Sequence, residues 1–68
     1  MKLKINSDTI NTEREVEKKE ESIYGNYYTL KCGWFVEYDN YFKRWEITTL
    51  VDGKYIGRFR ENEVLETV

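Results

Sequence analysis

The chain has 68 residues, of which 40% are apolar and 16% aromatic, with no histidine, one cysteine and a formal net charge of −2. That length fits one domain, expected to run over residues 1–68, and folding at this size buries only about 60% of the surface of the unfolded chain. A lone cysteine excludes an internal disulfide or a cysteine-rich metal site, so large rings must supply the stability that small scaffolds usually take from cross-links or metals.

The first ten residues, MKLKINSDTI, lack the apolar stretch of a secretory leader, and no run approaches the roughly 20 apolar residues that cross a bilayer. The expectation is a cytoplasmic protein without a membrane association, in a reducing compartment that suits one free thiol. Leu3 and Ile5 suit a short first strand. The segment Thr12 to Ser22 then holds five Glu against three Lys or Arg, and the excess negative charge is concentrated there. Thr12 and Glu15 have capping-box spacing, Glu15 and Lys19 form an i,i+4 pair in the favourable order, and Gly25 can close a helix C-terminus. These signals favour a short charged helix near residues 12–24. A long loop and a β-arm are the alternatives, because Val16, Ile23 and Tyr24 make only a thin apolar stripe.

From Tyr27 the period becomes two. Tyr28, Leu30, Cys32, Trp34, Val36 and Tyr38 share one face, with Thr29, Lys31, Gly33, Phe35 and Glu37 on the other. A strand that long must bend, and Gly33 is the expected place, with Cys32 a buried structural thiol in phase with Leu30 and Trp34. A connection through Asp39, Asn40, Tyr41 and Phe42 then sets Val36 opposite Trp45 and Glu37 opposite Arg44. Asp52-Gly53 marks the next hairpin. A three-residue loop, Val51 to Gly53, pairs Trp45 with Phe59, Ile47 with Gly57 and Glu46 with Arg58, and sends Trp45, Ile47, Tyr55 and Phe59 inward. Trp45 faces an apolar partner on both sides and is expected at the centre of the core. After a break at Arg60 to Asn62, Val64 or Leu65 with Val68 forms the last strand.

The fold class expected is mainly β, with a small α+β variant if residues 12–24 are helical. Three meander strands, a one-turn break and a terminal strand able to pair with the first resemble an SH3-like five-stranded barrel, or a strongly bent antiparallel meander. The resemblance is one of pattern over the second half of the chain and rests on no family motif.

For function, the absence of histidine removes the usual general base near neutral pH and the commonest metal ligand. The carboxylates of the charged segment show no paired arrangement that would raise a pKa. A non-enzymatic protein with no cofactor and no metal is expected. The outer face and hairpin tip carry Phe35, Tyr41, Phe42, Lys43, Arg44, Ile56 and Arg58, and rings with arginine are the types enriched at interface hot spots. Glu17, Glu20 and Glu21 can complement a basic surface. These ten residues are the candidate partner-binding set of a protein-binding module, a regulator or inhibitor of a host or partner protein, of the kind phages and mobile elements encode. Phe35 and Ile56 are free for that role unless the Thr12 to Tyr24 segment covers them. The alternative is a small β-barrel for RNA or single-stranded nucleic acid, using Lys31, Lys43, Arg44, Arg58 and Arg60 beside the exposed rings.

Overall fold

The computed structural model describes residues 1–68, and all its regular structure is strand apart from one 3₁₀ turn. The strands are β1 (Lys2–Asn6), β2 (Asn11–Ser22), β3 (Gly25–Leu30), β4 (Trp34–Asp39), β5 (Arg44–Thr49), β6 (Tyr55–Arg60) and β7 (Val64–Thr67), with the 3₁₀ turn Glu61–Glu63 before β7. They form one seven-stranded sheet in the order β6-β5-β4-β3-β2-β1-β7, in which every pairing is antiparallel. Leu3 and Ile5 of β1 and Val64 of β7 share a single buried cluster with Tyr28, Leu30, Val36, Trp45, Ile47 and Phe59. Strands so distant in the pairing order meet only if the sheet curls on itself. The result is a half-barrel within 27 × 26 × 25 Å, and no α-helix is present. The mainly β class holds, with seven strands instead of about five.

The charged segment at residues 12–24 is a strand and a turn, not a helix. Thr12, Arg14 and Val16 of β2 are half-buried, while Asn11, Glu13, Glu15 and Glu17 face solvent, a period of two. Both flanks of the strand are hydrogen-bonded, to β1 over Asn11–Glu15 and to β3 from Val16 onward. Two ladders satisfy more backbone groups than a short isolated helix with a thin apolar stripe can. Glu15 pairs with Lys31 at 3.0 Å instead of with Lys19. A bulge between Val16 and Lys18 shifts the phase by one residue, so that Lys19, directly across from Tyr28, turns inward. Gly25 is required by proximity, since a Cβ there would lie 1.7 Å from the Tyr38 carbonyl oxygen.

The alternation from Tyr28 to Tyr38 is interrupted as well. Lys31, Cys32 and Gly33 form a hairpin loop, closed by Gly33 N–H donating to the Leu30 carbonyl at 3.0 Å, with Gly33 at φ 92°. Tyr28 pairs with Val36 across it. A loop of odd length leaves the inward residues on both arms in phase, so a hairpin and one bent strand produce the same alternation. At the loop tip Cys32 is exposed, which corrects the expectation of a buried thiol.

In the next hairpin the pairing is two residues away from the expected register. Val36 faces Ile47, Tyr38 faces Trp45, and Glu37 faces Glu46 instead of Arg44. The loop runs Asn40 to Lys43 because the Asp39 carboxylate accepts from the Tyr41 and Phe42 N–H groups, at 2.8 and 3.1 Å, and Lys43 adopts φ 56°. The β5–β6 register matches at Trp45–Phe59, Glu46–Arg58 and Ile47–Gly57. Its irregularity lies elsewhere than expected: Thr48 pairs with Tyr55, so Ile56 is the extra residue. That bulge exposes Tyr55 and turns Ile56 toward the core.

Trp45 packs on Tyr38 at 4.8 Å and Tyr28 at 5.8 Å between ring centres, and its indole N–H donates to the Glu61 carbonyl at 3.2 Å. It thereby ties β3, β4 and β5 to the 3₁₀ turn. Trp45→Ala is expected to destabilise the fold by about 3–5 kcal/mol, most of what a domain of this length possesses. Thermal denaturation checks this; a cooperative transition near the wild-type temperature would contradict the central placement of the ring.

Candidate functional site

The β2–β3 turn and the β4–β5 turn lie side by side at one end of the half-barrel. In the first, Ser22 Oγ accepts from Tyr24 N–H and donates to the Gly25 carbonyl, both at 3.1 Å, fixing a two-residue tip of Ile23 and Tyr24. Asn40 joins the turns: its backbone N–H donates to the Tyr24 carbonyl at 3.1 Å and its side-chain amide to the Ile23 carbonyl at 3.4 Å. Four large side chains are thus held together in solvent, with exposures of 85% for Ile23, 73% for Tyr24, 85% for Tyr41 and 57% for Phe42. Tyr41 and Phe42 meet edge to face at 4.8 Å, and the six residues from Ile23, Tyr24 and Asp39 to Phe42 line a shallow depression.

Next to this cluster lies a basic corner. Phe42, Lys43, Arg44, Arg58, Phe59 and Arg60 line a concavity of about 360 Å³, with Glu61 as its single acid. The Arg44 guanidinium lies 4.4 Å from the Phe42 ring centre. Glu46 is shared by Arg58 at 3.3 Å and Arg44 at 3.8 Å, while the Lys43 ammonium and the Arg60 guanidinium have no carboxylate within 4 Å.

The remaining candidates are dispersed. Phe35 is half-buried on the outer face and stacks on Tyr27, with centroids 6.1 Å apart and planes at 16°, so Tyr27 of β3 covers part of it. Ile56 is removed from the outer face by its bulge. Glu20 and Glu21 pair with Lys18 at 2.9 Å and Lys19 at 3.2 Å, leaving Glu17 as the one unpaired acid of the three. Glu13 and Glu15 pair with Lys2 at 3.8 Å and Lys31 at 3.0 Å, so four of the five acids of the segment are matched by lysines, two from within it and two from outside. Of the ten candidates, the fold gathers Tyr41, Phe42, Lys43, Arg44 and Arg58 at one end. Sequence reasoning missed Ile23 and Tyr24, whose signal was an apolar pair between Ser22 and Gly25, the composition of a hairpin tip.

No three His, Cys, Asp or Glu side chains converge on a point able to hold a metal. No helix is long and apolar enough to cross a membrane. Comparison with protein-family models, with curated proteins and with solved structures finds no match for this chain.

One row across the outer face runs Glu20, Tyr27, Glu37, Glu46 and Arg58. Partial burial, then the Glu46 and Asp39 carboxylates, hold the Glu37 carboxyl above its ordinary range. The folded state binds this proton more tightly than the unfolded state, so ionised Glu37 weakens the fold at neutral pH and the penalty disappears on acidification. Glu37→Gln is expected to stabilise by about 0.2–1 kcal/mol at pH 7. Melting temperatures at pH 7 and below about pH 4 check the sign. Equal stability at pH 7, or a gain only in acid, would contradict it.

Proposed function

We propose that this chain is a non-enzymatic protein-binding module, a regulator or inhibitor of a partner protein, built on a curled sheet of SH3-like design. A 3₁₀ turn leading into a last strand that pairs with the first supports the SH3-like reading. The observation that carries the function is the Ile23, Tyr24, Tyr41 and Phe42 cluster, held in solvent by Asn40. Single exposed apolar residues are ordinary, but two adjoining turns that both present large apolar groups, and are fastened to each other, form a preordered contact surface. The backbones of the two turns need little further ordering on binding, which lowers the entropic cost. The neighbouring Lys43 and Arg44 supply the charged rim that interfaces use for orientation. The exposed lone thiol of Cys32 suits a reducing compartment such as the cytoplasm.

A second reading is favoured by the basic corner: cations beside the exposed Phe42 ring suit the phosphates and bases of single-stranded nucleic acid. Glu46 offsets two of those arginines, which places this reading second.

Affinity capture from native cytoplasm, with the wild type and a Tyr41→Ala/Phe42→Ala variant, separates the two. The protein-binding reading expects a partner that survives nuclease treatment and is lost, more than tenfold, with the variant. The variant should melt within a few degrees of wild type, since both rings lie outside the core. Partners that vanish with nuclease, together with salt-sensitive binding of single-stranded oligonucleotides, would establish the second reading instead.

A further inference from the structure

Around the corner from the exposed turns, Asn26, Tyr28, Tyr38, Trp45, Glu61 and Glu66 line a concavity of about 400 Å³ where the chain passes from β6 to β7. It contains the same chemical arrangement twice. In one half the Tyr28 hydroxyl donates to the Glu66 carboxylate, and the Lys19 ammonium bonds that carboxylate at 2.7 Å while standing 5.5 Å from the Tyr28 ring centre. A ring face and a carboxylate hold one cation there, as cation–π attraction and charge-assisted hydrogen bonding favour. The Lys19 proton is held more tightly, and that of Glu66 less tightly, than usual, chiefly because each is the other's hydrogen-bond partner.

In the other half the Tyr38 hydroxyl donates to the Glu61 carboxylate at 2.9 Å, and the Tyr38 ring packs on Trp45, whose indole N–H donates to the Glu61 carbonyl. The half-exposed Tyr38 ring and the carboxylate are in place, with the buried Trp45 ring packed behind them, but no basic group lies within 4 Å of Glu61. Glu61 is exposed, so its carboxylate is open to a ligand. We propose that the Tyr38, Trp45 and Glu61 half of this concavity binds an ammonium group, the side chain of a lysine presented by a protein partner. The ammonium site stands on this geometry alone, whereas its assignment to a protein rests on the function proposed above. The two surfaces adjoin through Tyr38–Asp39 and Gly25–Asn26, so one partner can reach both. The basic corner on the far side of Glu61 opposes any cation and limits the affinity for an isolated side chain to the order of millimolar.

The test is an NMR titration of the full chain with Nα-acetyl-lysine N-methylamide, its Nε-trimethyl form and its neutral Nε-acetyl form. Trp34 and Trp45 are the only tryptophans, so two indole N–H signals report, and Trp34, with the Arg14 guanidinium 4.4 Å over its ring, is the internal control. A saturable shift of the Trp45 signal is expected with the amine and none with the neutral form. Glu61→Gln should weaken binding at least threefold at unchanged melting temperature, while Tyr41→Ala/Phe42→Ala leaves it intact. The unmethylated amine should bind at least as tightly as the trimethyl form, because only it can donate to Glu61; tighter trimethyl binding would overturn the assignment to lysine. No Trp45 shift by about 50 mM amine, an equal shift with the neutral compound, or full binding by Glu61→Gln would overturn the site. Loss of captured partner in the turn variant combined with a silent Trp45 would defeat this site and spare the proposed function. A Trp45 response without any captured protein would do the reverse.

Discussion

The half-barrel depends on β2 belonging to both of its walls. Its first five residues pair with β1, which in turn carries β7, and its later residues pair with β3 and the rest of the meander. Without that shared strand Leu3, Ile5 and Val64 have no route to Tyr28, Trp45 and Phe59, and neither wall alone encloses an apolar core. Without β2 the β1–β7 pair is a two-stranded ribbon, marginal in water, and the four-stranded β3–β6 wall keeps its apolar inner face uncovered, so joining the walls is a condition of folding and not an embellishment. The bulge after Val16 makes the joint possible, since an extra residue bends the strand and increases its twist. The same bulge turns Lys19 inward, so the feature that closes the fold also places a cation against Tyr28 and Glu66.

Much of the meander was legible because side-chain parity is a strict constraint. Trp45, Ile47 and Phe59 face inward together only in β5–β6 registers of one parity, and the placement of the turn selects among them the pairing of Trp45 with Phe59 that is observed. In the β4–β5 hairpin the same parity is kept but the turn sits one residue further along the chain than expected, which moves the register by two. Parity was also the source of the errors. It cannot distinguish a continuous strand from a hairpin with a loop of odd length, so the sequence predicts a bend at Gly33 and a buried Cys32 where the fold has a turn at Lys31 to Gly33 and an exposed thiol. It cannot locate a bulge, and Ile56 was assigned to the wrong face for that reason. In β2 the alternation of Glu13, Glu15 and Glu17 competed with helix-capping and i,i+4 signals. Tertiary pairing on both flanks decided it, as it commonly overrides local propensity. Of the candidate site, Tyr41 and Phe42 were legible as a hairpin tip. Ile23 and Tyr24 were not, because their exposure follows from β2 being a strand.

The interleaving of rings with charges has a consistent physical use here. Arg14 lies over Trp34, Lys19 over Tyr28 and Arg44 over Phe42. In a protein with neither disulfide nor α-helix, these contacts cover ring faces that a small core cannot enclose, while the charged heads stay at the surface. Tyr24 and Tyr41 at the turns and Tyr38 beside Glu61 have no such cation over them, and the functional proposals converge on these three rings together with Phe42.

The membership of β2 in both walls is tested most directly by backbone NMR of residues 11–22. Extended-type Cα and Cβ shifts throughout are predicted, with slow exchange of the Val16 N–H bonded to the Met1 carbonyl and of the Lys31 N–H bonded to the Glu15 carbonyl. Helical shifts over this segment, or coil shifts with rapid exchange at both amides, would contradict it.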